Sequence, residues 1–138
     1  MSHVIQQSLC SADAAAVRPV GRSRDGWFEQ REGGVYTLAR QWPPRFDVMA
    51  QSAFPLLNSR RLARQIRQDL WRMLRDLRAF SPVIKIDARE CDLMVYAGGR
   101  VEARQVAPQA ISHRISELLN APANRVRWSR WARIGGRT

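Results

Sequence analysis

Arginine and tryptophan are the residue types whose spacing in this chain points to a chemistry. Seven arginines fall between Arg60 and Arg78. On a helix turning about 100° per residue, Arg60, Arg61, Arg64, Arg67, Arg75 and Arg78 share one face, with Trp71 among them. Arg67 and Arg75 stand four residues to either side of that tryptophan, Arg64 and Arg78 seven. A planar guanidinium pairs with a phosphate through two parallel hydrogen bonds and also stacks on flat rings. A tryptophan among such groups offers a platform for an unpaired base. The segment Asn124 to Arg133 repeats the theme, with Arg127, Arg130 and Trp131 as its candidate contacts. Both clusters have a bland alternative. Trp71 can pack under a neighbouring hairpin above solvated arginines, and Trp128 can close the core while the arginines around it stay in water.

The charge balance strengthens the binding reading. The 138 residues carry 23 basic against 12 acidic side chains, a formal net charge of +11. Such an excess favours a polyanion: DNA, RNA, an anionic surface or an acidic protein. All but one of the basic residues are arginine, and 17 alanines accompany them. A GC-rich bacterial genome accounts for arginine in place of lysine, but not for the net charge.

Catalysis has little to stand on. The two histidines, His3 and His113, lie far apart, and no GxSxG, P-loop, GxGxxG or HExxH pattern occurs. Asp87, Glu90 and Asp92 cluster about a turn where a metal-dependent phosphodiesterase would need carboxylates. Such clusters are common without metal, so no metal, cofactor or catalytic residue is expected. Cys10 and Cys91 have no ligand-like spacing and read as free thiols of a cytoplasmic protein. No apolar run is long enough to span a membrane.

The elements that must position these residues follow from periodicity. Residues 1–25 show no sustained period and read as a flexible arm, residues 26–134 as one domain, and 135–138 as a frayed end. Trp27 to Leu38 about Gly33-Gly34 reads as an N-terminal β-hairpin. Phe46 to Leu57, broken by Pro55, reads as a packed connection. Asn58 and Ser59 cap a long amphipathic helix over residues 59–80, its core stripe formed by Leu62, Ile66, Leu70, Met73, Leu74, Leu77 and Phe80. Val83 to Asp87, Leu93 to Tyr96 and Val101 to Gln105 read as a three-stranded antiparallel meander, with Gly98-Gly99 as its second turn. A shorter helix over residues 108–120 opens on Pro108. The period from Asn124 to Arg133 fits a strand or a helix equally. The expected fold is therefore α+β: the meander covered by the long and the short helix, with the hairpin appended. The expected role is non-catalytic nucleic-acid binding. The alternative is an adaptor whose Arg/Trp surface docks on an acidic protein.

Overall fold

A computed structural model describes residues 21–22, 26–77, 80–101 and 107–134. In chain order these form β1 (Gly21–Arg22), β2 (Phe28–Glu32), β3 (Val35–Ala39), β4 (Val48–Phe54), α1 (Ser59–Met73), β5 (Ser81–Ala88), β6 (Leu93–Arg100), α2 (Pro108–Asn120) and α3 (Pro122–Trp131). The fold is α+β. One antiparallel sheet runs in the order β1-β2-β3-β5-β6-β4, with β1 contributing only two residues. Helix α1 lies over β5 and β3, helix α2 over β4, and α3 packs against α1 and α2.

The sheet is larger than a three-stranded meander, for three reasons. The hairpin is continuous with the sheet, because Val35 to Ala39 pair with Asp87 to Val83. Tyr36 and Leu38 enter the core on the helix side of β3, whereas Thr37 and Ala39 are buried on its other side. A strand buried on both faces belongs inside a sheet rather than at its margin.

Second, the connection expected at residues 46–57 contains an edge strand, β4, paired with β6 along its whole length. Its outer edge is bridged by side chains instead of a further strand. Ser112 Oγ accepts from Met49 N at 3.2 Å, and Arg125 Nη2 donates to Ala53 O at 2.6 Å. Ser52 Oγ donates to Asn120 Oδ1 at 2.9 Å. These bonds occupy an edge that would otherwise be open to another chain.

Third, Gly98-Gly99 is not a turn. Both glycines lie inside β6, between β4 and β5. A Cβ on Gly98 would overlap Val48 O, and one on Gly99, where φ is +151°, would overlap Ser81 O. Glycine is required there by close backbone approach. The third strand expected at residues 101–105 falls, beyond Val101, outside the described residues.

The long helix behaves as expected over its first fifteen residues. Asn58 Oδ1 accepts from Arg61 N at 2.9 Å, an N-cap bond. Leu62, Ala63, Ile66 and Leu70 are fully buried. The helix ends at Met73 rather than residue 80, and Arg114 of α2 donates to the Met73 carbonyl at 3.1 Å. Leu74 and Phe80 still reach the core from the turn beyond it, so the stripe outlasts the helix. Residues 108–120 are helical as expected, with Pro108 in the first turn. The ambiguous last segment is helical too. Its Trp128 is completely buried, with its ring centroid 6.2 Å from that of Phe54. Most of the expected arm and the expected frayed end lie outside the described residues, although Gly21–Arg22 pairs with β2. Among the described residues, no helix is long and apolar enough to cross a membrane.

Gly98→Ala tests the seam between β4 and β6. The added methyl must push Val48 away, and chemical denaturation is expected to show a loss of about 1–3 kcal/mol, as for other overpacked sites. Unchanged stability would mean that the strands are not so close.

Candidate nucleic-acid interface

The seating of α1 on β5 and β3 decides what its other sides meet. Toward the hairpin, the first encounter is with Glu29 of β2. Arg60 Nε donates to Glu29 Oε1 at 2.8 Å, and the buried Tyr36 hydroxyl donates to the same oxygen at 2.7 Å. Arg64 Nη2 lies 3.8 Å from Glu29 Oε2. The Arg60 hydrogen bond holds the Glu29 carboxyl below its usual range against the opposing effect of burial, and Tyr36 lowers it further. The Tyr36 phenol is pushed well upward, first by burial and then by its bond to Glu29. Two of the candidate arginines are thus engaged inside the molecule.

One turn further along, the helix meets Trp27. This ring is nearly buried, at 8% exposure, whereas Trp71 is 45% exposed. The two rings meet edge to face, with centroids 6.3 Å apart and planes at 72°. The Arg67 guanidinium stacks over Trp27, its Cζ 4.8 Å from the ring centroid. Arg40, just after β3, donates from Nη1 to Gly26 O at 3.0 Å. Gly26 has a φ of +87°, and a Cβ there would stand 2.9 Å from Arg40 Nη1, so glycine gives that side chain its place. Together Trp27, Arg40, Arg67, Gln68 and Trp71 line a cavity of about 320 Å³. It has an aromatic corner and two cationic walls.

On the opposite side of α1, Asp69 joins the helix to α3. Its Oδ2 accepts from Trp128 Nε1 at 2.7 Å and from Arg127 Nη2 at 2.8 Å, while Arg72 Nη1 lies 3.5 Å from Oδ1. Arg127 also donates to Asn124 Oδ1 at 2.8 Å. Arg125, whose guanidinium lies over Phe54, is likewise built into the fold through Ser52, Ala53 and Leu119.

The sequence candidates therefore separate by environment. Arg60, Arg64 and Arg127 are held by carboxylates, and Arg67 and Trp71 line the cavity. Arg61, Arg75 and Arg130 are exposed, and their side chains make no hydrogen bond or ion pair to any described residue. Trp131 is 61% exposed. Arg78 lies outside the described residues. Trp27, Arg40 and Gln68 were not among the candidates. Gln68 stands three residues from Trp71 on the same helix face, whereas only the pairing of β2 with β3 and the seating of α1 bring Trp27 and Arg40 to Trp71. At the turn between β5 and β6, Arg89 grips Asp92 through two hydrogen bonds of 2.8 Å. Among the described residues, no group of three His, Cys, Asp or Glu side chains is placed to hold a metal ion.

Searches against protein-family models, curated proteins and solved structures found no match to this chain.

The Glu29 cluster sets a pH dependence at both extremes. Glu29 ionises more readily in the fold, so its contribution is present above the ordinary glutamate pKa of about 4.3 and is lost as pH falls below it. Tyr36 ionises less readily in the fold, so its contribution is complete below about pH 10 and is lost as pH rises beyond. Glu29→Gln is expected to flatten the acid limb of a stability–pH profile, and Tyr36→Phe the alkaline limb. Limbs unchanged by these substitutions would place the titration elsewhere. On the other side of the helix, Asp69→Ala leaves the fully buried indole N–H of Trp128 unpaired. Denaturant unfolding is expected to register a loss of about 1–3 kcal/mol.

Proposed function

We propose that this protein binds nucleic acid in the cytoplasm without catalysing a reaction on it. The observation that carries the reading is the cavity between Trp27 and Trp71, walled by Arg40 and Arg67. Exposed Arg61 lies on the same helix as Trp71, and exposed Arg75 follows in the turn just beyond its end. Guanidiniums supply phosphate contacts, and an indole face supplies stacking that tolerates any base. The formal charge of +11 adds a long-range attraction for any polyanion.

A second reading keeps the same surface chemistry but a different partner. Val126, Trp131 and Ile134 are exposed at and just beyond α3, beside Arg130 and Arg133. Apolar and aromatic groups ringed by arginine also suit an acidic protein surface.

Salt dependence separates electrostatic binding from the rest. If Arg40, Arg61 and Arg75 each neutralise one phosphate of a single strand, log affinity is expected to fall against log salt with a slope of about −2. Arg75→Ala is expected to reduce the steepness by about 0.7. Binding that does not change with salt would overturn the reading. Trp131→Ala distinguishes the two partners. It should leave oligonucleotide affinity unchanged here, whereas in an adaptor docking through α3 it would abolish the protein complex.

A further inference from the structure

The cavity's shape and chemistry narrow the ligand beyond nucleic acid in general. We propose that the Trp27–Trp71 cavity takes a single unpaired nucleotide unit: its base stacks on the exposed Trp71 indole and its phosphate meets Arg40. This rests on the nucleic-acid reading above and specifies which form of nucleic acid the site accepts.

Four observations converge on it. The volume of about 320 Å³ is enough to seat one nucleotide. Trp71 has a ring partly free for stacking, whereas Trp27 is nearly buried and already covered by Arg67. Trp27 is therefore the floor and Trp71 the platform. In a duplex, bases present only their edges in the grooves and have no free face to lay on an indole, so the platform selects a splayed base. The two walls carry guanidiniums, which repel a cationic guest that an aromatic corner alone would attract. A flat anion fits both features.

Arg40 is suited to the phosphate. One of its N–H groups is committed to Gly26 O, which orients the guanidinium, and arginine has five such donors. Arg67 keeps its stack on Trp27 while its edge lines the cavity. Gln68 is exposed at the rim, where its amide both donates and accepts. That versatility suits the hydrogen-bonding edge of any base. The site recognises a nucleotide by stacking and charge with little choice among bases.

The test compares four ligands of known chemistry by fluorescence anisotropy and tryptophan quenching. These are a labelled single-stranded 12-mer, the same strand in a duplex, an abasic sugar–phosphate strand of equal length, and free adenosine monophosphate. The single strand is expected to bind about 10- to 100-fold tighter than the abasic strand. Trp71→Ala is expected to remove most of that difference, while Trp71→Phe keeps it. Gln68→Ala, on an exposed position, provides a second variant if Trp71→Ala destabilises the fold. It should weaken the base-bearing strand without affecting the abasic one. Equal binding of the single, abasic and duplex strands, insensitive to Trp71, would overturn the proposal while leaving nucleic-acid binding intact. No binding of any strand would overturn both. Mononucleotide affinity equal to that of the strand would assign the site to a free nucleotide, and tighter binding of the strand assigns it to a polymer.

Discussion

The apolar stripe of α1 on β5 and β3 is the constraint from which the rest of this molecule follows. Leu62, Ile66 and Leu70 are completely buried, and their burial fixes the rotation of the helix about its axis. Each such side chain is worth roughly 1.5–3 kcal/mol when withdrawn from water, so no surface ion pair can compete with the stripe in setting that rotation. Once it is set, Arg60, Arg64, Arg67 and Trp71 turn toward the hairpin, and Asp69 turns toward α3. The helix is gripped on both flanks by a carboxylate. Glu29 reaches in from β2 on one side, and Asp69 reaches out to Trp128 and Arg127 on the other.

These two carboxylates change what an arginine-rich helix means. A row of guanidiniums in a sequence counts as one cationic face, but the fold divides it by function. Arg60 and Arg64 are spent on Glu29, and Arg64 Nε is buried with no hydrogen-bond partner among the described residues. Partial burial lowers the pKa of Arg125, whose guanidinium ties β4 to α2. The cavity gathers two guanidiniums beside an aromatic corner, and such a grouping is more selective than a uniformly charged surface.

The edge of the sheet shows the same economy. Strand β4 has little sequence signal because its apolar and polar residues alternate weakly, Val48-Met49-Ala50-Gln51-Ser52-Ala53-Phe54, and Pro55 follows at once. It is a strand because Gly98 of β6 lets it approach closely, as Gly99 does for β5, and because Ser112, Asn120 and Arg125 occupy its outer side. The glycine pair that resembles a turn in one dimension is a packing device in three. A missing Cβ serves a tight turn and a close strand approach equally well, and only the neighbours distinguish them.

Local patterns in the sequence were sufficient for the α+β class, the Gly33-Gly34 hairpin, the start and buried face of α1, and the extent of α2. Each depends on a period, a cap or a turn contained within a dozen residues, where short-range sterics and side-chain spacing decide the outcome. The candidate Arg67–Trp71 pair was legible for the same reason, since a four-residue spacing puts both side chains on one side of any helix. The tertiary structure decided the rest. It made the hairpin part of the main sheet, ended α1 at Met73 where Arg114 of α2 meets its carbonyl, and brought Trp27 and Arg40 to Trp71. Those contacts join residues far apart in the chain, Val35 with Asp87 and Trp27 with Trp71. Their meeting depends on strand order and helix rotation, which are set by burial over the whole core and leave no trace in any short stretch of chain.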